Sequence, residues 1–195
     1  MRTTQFVILG LLSESPLSGY DIKKIIGTRF RFFWSESYGQ IYPMLKELAR
    51  KGCVELLKGL EKRAKSRFQV HAATGRRRKV YCLTAAGFEK LVDWLKLPPE
   101  KELSRFEILI KIYFGHLVSR EAIIAFINTF QADHKQDLDV LLRMQEEMRS
   151  MLRMHENHPF ILSTINLGVK VNKAYIEWAE ETAAYLGTIT SKESV

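Results

Sequence analysis

TGRRRKVYCLTAAG, residues 74–87, carries three arginines and a lysine straight into an apolar alternation and then into a helix start. Val80, Tyr81, Cys82 and Leu83 alternate as a strand does, with Val80 and Cys82 on one face and Tyr81 and Leu83 on the other. Thr84 is a hydroxyl placed to accept the backbone N–H three residues on, so a helix is expected from there to about Lys96. Upstream, CVELL (residues 53–57) has the composition of a partner strand, which makes the whole region a β-hairpin. Within the connection, RFQVHA (residues 67–72) also alternates, so the hairpin is either extended or carries an inserted strand.

Between Lys58 and Lys79 there are nine basic residues and one acidic residue, Glu61. A solvated surface ordinarily mixes signs, so this bias calls for an anionic neighbour, the alternative being a solubilising loop. The same imbalance holds at larger scale. Up to the Leu97-Pro98-Pro99 break the chain carries 19 Lys/Arg against 8 Asp/Glu, a net of +11; the remainder carries 11 against 14, a net of −3. Two domains are therefore expected, residues 1–98 and 99–195, of which the first meets a polyanion.

Three helices are expected ahead of the hairpin. Thr4 to Leu12 is apolar enough to be buried, and Pro16 stops it. Ser18-Gly19-Tyr20-Asp21 has the spacing of a capping box and opens a second helix with Ile22, Ile25 and Ile26. Ser37-Tyr38-Gly39-Gln40 repeats that spacing for a third, whose Ile41, Leu45 and Leu48 share a face and which Gly52 ends. A proline inside a helix costs about 3 kcal/mol. Pro43 therefore leaves two expectations, an irregular first turn or a regular helix that begins near residue 43.

Three short helices and a hairpin, in that order, describe a winged helix-turn-helix in a mainly α protein, with the hairpin as the wing. In such a fold the third helix enters the major groove of double-stranded DNA and the wing lies on phosphates. Ser37, Tyr38, Gln40 and Lys46 are the candidate groove contacts, Gln being able to pair with adenine. For Gln40 the competing role is to close its own capping box. Tyr42, on the buried side of Pro43, is packing first and contact second. The wing candidates are Arg63, Lys65, Arg67, Arg76, Arg77, Arg78 and Lys79.

The second half reads as helix throughout: roughly 102–116, 119–155 and 159–186. Ile123, Ile127, Phe130, Leu138, Leu141, Met148 and Leu152 recur at helical spacing over a length that suits a seam against another chain. His134 and Asp137 fall near that seam and spoil a strict heptad. Trp94 and Trp178 are guessed to line a pocket for a small aromatic effector at the interface.

Other signals carry less. His155-Glu156-Asn157-His158 lacks a third ligand and is read as a helix end rather than a metal site. RFRFFW (residues 29–34) is expected to pack against the C-terminal helices rather than stack on bases. Cys53 and Cys82 are read as small buried hydrophobes, with a redox pair across the hairpin as the sharper alternative. Two cysteines give no disulfide framework, and no apolar run reaches the 18 residues of a membrane span, so a reducing cytoplasm is expected. The apolar run Phe6 to Leu12 after Arg2 is short for an export signal and no Ala-x-Ala site follows it. No phosphate-binding glycine loop, no Gly-x-Ser-x-Gly elbow and no metal-ligand set is recognisable, so neither an enzyme nor a cofactor is expected.

ILGLLSESPLSGYDI (residues 8–22), GQIYPMLKELARKGCVE (residues 39–55) and GRRRKVYCLTAAG (residues 75–87), in this order, resemble the PadR family of bacterial transcriptional regulators. Leu167-Gly168 and Ala174-Tyr175-Ile176-Glu177-Trp178 are similar to the last helix of its longer members. The resemblance implies a homodimeric winged-helix repressor, less often an activator, on an inverted-repeat operator, with phenolic acids or drugs as effectors in some members. It places Tyr42, Pro43 and Leu45 at the family's Tyr-Pro-x-Leu positions in the recognition helix, and Arg78-Lys79-Val80-Tyr81 in its wing strand. The insert from Leu57 to Arg76 is longer and more basic than the usual family wing. The competing function is a sequence-blind nucleic-acid binder that uses the basic wing alone.

Overall fold

A computed structural model describes residues 2–57, 79–101, 105–151 and 156–189. The chain divides into two compact units, residues 1–101 and 102–195.

The first unit is built from α1 (Thr3–Glu14), β1 (Leu17–Ser18), α2 (Gly19–Arg29), α3 (Tyr38–Arg50), β2 (Val54–Leu56), β3 (Val80–Leu83) and α4 (Ala85–Leu95). Apolar residues at helical spacing turn inward from every helix: Ile8, Leu9 and Leu12 from α1, Ile22 and Ile26 from α2, Ile41, Leu45 and Leu48 from α3, Leu91 from α4. Each such side chain, fully buried, contributes about 1.5–3 kcal/mol relative to its exposed state. Phe30 and Trp34, from the aromatic stretch expected against the C-terminal helices, pack on this N-terminal core.

Local chemistry fixes the helix starts. The Ser18 hydroxyl accepts the Asp21 N–H at 3.2 Å, and Asp21 Oδ2 accepts the Ser18 N–H at 3.1 Å, the reciprocal box the spacing predicts. At α3, Gln40 Oε1 accepts the Ser37 N–H at 2.8 Å. Neither expectation for Pro43 holds, because α3 is helical from Tyr38, with the Ile41 N–H on the Ser37 carbonyl at 3.0 Å, and runs through the proline. Pro43 deprives only the Gly39 carbonyl of a donor, and Gly39 lies on the exposed face, where water can serve that oxygen.

The sheet is antiparallel in the order β1-β3-β2. Tyr81 stands opposite Leu17 on one side and Leu56 on the other, and it alone of the β3 residues is buried. β1 was invisible in the sequence, since two residues before a helix cap carry no alternation; it exists because β3 offers a second edge. The alternating RFQVHA segment lies outside the described residues.

The second unit contains α5 (Glu107–Tyr113), a 3-10 turn at Gly115–Leu117, α6 (Arg120–Ser150) and α7 (His158–Thr188). α5 is shorter than the expected 102–116 helix. The Ser119 hydroxyl accepts the Ala122 N–H at 3.3 Å and starts α6.

α6 and α7, 31 residues each, form an antiparallel hairpin. Part of the stripe expected to face another chain is thus used within this one: Ile123 and Ile127 are buried with Ala179, and Leu141 lies over Gly168. His134 donates from Nδ1 to Asn172 Oδ1 at 2.7 Å, and Asn172 donates to the Gly168 carbonyl at 2.8 Å, so the impurity in the heptad is a paired polar contact between two helices. Gln145 donates to Asn166 Oδ1 at 2.7 Å one step further along. Such pairs set the register of two otherwise apolar helices.

Two glycines of the first unit predict opposite outcomes. A Cβ on Gly87 would lie 2.0 Å from the Cys53 carbonyl oxygen, so Gly87→Ala should destabilise by about 3 kcal/mol. A Cβ on Gly10, in the middle of α1, meets nothing within 4 Å, so Gly10→Ala should stabilise by about 0.5–1 kcal/mol. Urea denaturation of the three proteins checks both; equal midpoints for wild type and Gly87→Ala would contradict the packing described.

Candidate nucleic-acid interface

α3 presents two faces. Ile41, Leu45 and Leu48 are fully buried, while Tyr38, Tyr42 and Lys46 are exposed, the last two one turn apart. The single acidic residue of this helix, Glu47, is tied at 2.6 Å to Lys51, whose hydrogen bond holds its carboxyl below the usual carboxylate range. The exposed side therefore carries phenols and two cations, Lys46 and Arg50.

Of the predicted contacts, Ser37, Tyr38, Gln40, Tyr42 and Lys46 come together at and beyond the start of α3. Gln40 closes its capping box, as the competing reading had it. The Tyr42 ring is half exposed and seated on Gly19, where a Cβ would come within 2.7 Å of its Cε1. Tyr42 is thus fixed by packing and still open to solvent. Lys79 is exposed at the root of β3. Arg63, Lys65, Arg67, Arg76, Arg77 and Arg78 lie outside the described residues.

Two further residues belong to this region. Tyr20, in the first turn of α2, brings its ring to 6.3 Å from Tyr38, which lies 6.1 Å from Tyr42, so three half-exposed phenols form a row. The sequence held one hint of it, a tyrosine inside a helix cap. Glu36, beside the first residue of α3's cap, is buried; its Oε1 accepts from Thr4 Oγ1 at 2.5 Å and from Trp34 Nε1 at 3.1 Å. A glutamate before a helix reads as surface, so no pattern pointed to it. Its bonds tie the approach to α3 onto α1.

Tyr81 connects the same face to the hairpin. Burial raises its phenol pKa, and the neighbouring Tyr42 adds to the shift. Trp94 belongs to the N-terminal core, stacked on Phe6 at 4.5 Å and 4°. Trp178 belongs to the second unit, edge-on to Phe130 at 5.6 Å and 85°. In that unit an open groove of about 350 Å³ is lined by Leu138, Lys173, Ile176, Glu177, Glu180 and Glu181.

The strand register places Glu55, not Cys53, opposite Cys82. Cys53 is fully buried and accepts from Lys90 Nζ at 3.5 Å. Burial pushes the Cys82 thiol up, and the Glu55 carboxylate pushes it further, so less thiolate is present at a given pH. Cys82 should therefore alkylate with iodoacetamide at pH 8 more slowly than a free thiol, and Glu55→Gln should speed it. A wild-type rate equal to that of free cysteine would contradict this.

The match to the transcriptional regulator PadR-like family spans residues 8–93, and a match to the C-terminal region of the virulence activator alpha family spans residues 104–187. The negative transcriptional regulator PadR of Bacillus subtilis is 30% identical over 190 residues, 95% of this chain and 98% of that protein. The structure of Bacillus subtilis PadR in complex with operator DNA superposes with a TM-score of 0.73 at 28% identity, over 95% of this chain and 99% of that one. The complex of the same protein with p-coumaric acid gives 0.70 at 28% identity, again over 95% and 99%. The Vibrio cholerae virulence activator AphA, 21% identical with a TM-score of 0.71 over 96% of this chain and 99% of that one, shares the fold. The helices and sheet of the first unit are those of a winged helix, and this chain belongs to the PadR-like family of transcriptional regulators, a family of DNA-binding proteins rather than of enzymes.

Proposed function

We propose that this protein is a sequence-specific regulator of transcription, a cytoplasmic homodimer that represses from an inverted-repeat operator. The observation that carries this is the outward face of α3, where Tyr38, Tyr42 and Lys46 are exposed on a helix whose other face is locked into the core. Residues 1–98 serve as the DNA-binding domain. α3 lies in the major groove, Lys46 meets guanine or phosphate, and Tyr38 and Tyr42 meet base edges. Gln40 keeps its carboxamide N–H groups for DNA, since its oxygen is taken by the cap. The basic run from Lys58 to Lys79 neutralises phosphates and releases their counterions.

Residues 99–195 serve as the helical dimerisation domain. Tyr113 and Leu117 are 78% and 72% exposed in the single chain, and Phe114 and Val118 extend the same apolar stretch, which supports a second copy covering it. The operator and p-coumaric acid complexes of the Bacillus subtilis relative support DNA and a small aromatic effector as ligands. That the Bacillus subtilis relative is a negative transcriptional regulator supports repression. A sequence-blind binder relying on the basic hairpin would leave the phenol and lysine face of α3 without a task.

Footprinting on the DNA upstream of this protein's own gene tests the dimer. Two half-sites should appear with centres about 10 base pairs apart, or near a multiple of that. A protected region lacking two-fold symmetry would contradict it. Replacing Arg76, Arg77 and Arg78 together by alanine should weaken binding to operator and random DNA alike, and flatten the salt dependence by about one unit per lost phosphate contact. Unchanged affinity at both low and high salt would show that the run does not lie on DNA.

A further inference from the structure

The row formed by Tyr20, Tyr38 and Tyr42 is not explained by packing alone. These rings are 39%, 43% and 50% exposed, and they step across from α2 to α3 at 6.3 and 6.1 Å with interplanar angles of 16° and 24°. Their arrangement is built in. Gly19 leaves the space that the Tyr42 ring fills, and the Ser18–Asp21 box fixes the turn that carries both Gly19 and Tyr20. Rings held this way lose little conformational freedom on meeting a ligand.

The row lies on the face that the proposed function directs at the major groove, and this inference rests on that reading. The one apolar group that projects from the base edges there is the thymine C5-methyl; the nitrogen and oxygen groups beside it are hydrogen-bond donors or acceptors. A line of aromatic edges, pre-set and half desolvated by its own stacking, matches methyl groups spaced along successive base pairs. Phosphate binding by the phenol hydroxyls would require no such line of rings, and the basic hairpin already supplies phosphate contacts.

We propose that the Tyr20–Tyr38–Tyr42 row is a thymine-reading stripe, so that specificity in each half-site comes in part from methyl contacts and not only from hydrogen bonds. Deoxyuridine pairs as thymidine does and differs from it by that methyl alone, which makes it the direct probe.

Operator duplexes defined by the footprint are synthesised with single thymidine-to-deoxyuridine replacements, and wild type, Tyr20→Ala, Tyr42→Ala and Tyr42→Phe are titrated on each. Wild type should bind about fourfold more weakly for each methyl lost beneath the row, the factor that corresponds to about 0.8 kcal/mol. Each alanine variant should lose that thymine/uracil ratio at the position its ring touches, and Tyr42→Phe should keep it. Because each variant is compared with itself on two DNAs, any fraction that fails to fold cancels from the ratio. Equal wild-type affinity for the thymine and uracil operators, with preference over random DNA intact, overturns the stripe and leaves the regulator reading standing. A thymine/uracil ratio that survives in both alanine variants also overturns it. No preference for operator over random DNA overturns both.

Discussion

The carbonyl oxygen of Cys53 is the joint on which the N-terminal unit turns. It accepts the Thr84 N–H at 3.1 Å, while the Thr84 hydroxyl donates to the neighbouring Gly52 carbonyl at 2.7 Å and receives the Gly87 N–H at 3.1 Å. Gly52, at φ 68°, is the one described residue in the left-handed region, and it lets the chain leave α3 at Arg50 and enter β2 at Val54. Gly87 then allows α4 to start directly against that turn. α3, the strand pair and α4 are thereby clamped at one point. The orientation of α3 relative to the root of the basic hairpin follows from it, and a reader of DNA that uses both elements depends on that orientation.

A second clamp acts at the other end of α3. Glu36 fastens the approach to the helix onto Thr4 of α1, and the Ser18–Asp21 box sets the turn against which Tyr42 rests. Between the two clamps, α3 is held by three fully buried aliphatic side chains and exposes phenols, a lysine and an arginine. In the C-terminal unit, by contrast, register is set by polar pairs inside a long apolar hairpin, His134 with Asn172 and Gln145 with Asn166. The first device gives a rigid surface, and the second gives a hairpin of defined register with apolar side chains left exposed beside it.

Much of this was legible because it is local. The boxes at Ser18 and Ser37, the cap at Thr84, the glycine stop at residue 52 and the alternation of Val80 to Leu83 are written in consecutive residues. What stayed hidden depends on distant ones. β1 needs a partner more than 60 residues away, the row of tyrosines needs α2 and α3 to meet, and nothing beside Glu36 foretells Thr4. The long stripe of α6 reads as a seam against another chain, but periodicity does not say which helix packs on it, and Ile123, Ile127 and Leu141 pack against α7 of the same chain. Pro43 misled because the cost of an interior proline does not by itself end a helix whose other face is buried, and the residue that loses its donor, Gly39, is exposed.

The central claim is that the basic half reads sequence rather than charge alone. Its most direct test is the ratio of dissociation constants for the DNA upstream of this protein's own gene and for random DNA of equal length, measured by competition at two salt concentrations. A sequence-reading regulator should show a preference of about 10³ or more that persists as salt rises while both affinities fall. A ratio near one at both concentrations would contradict it, and would leave a polyanion binder on a winged-helix frame.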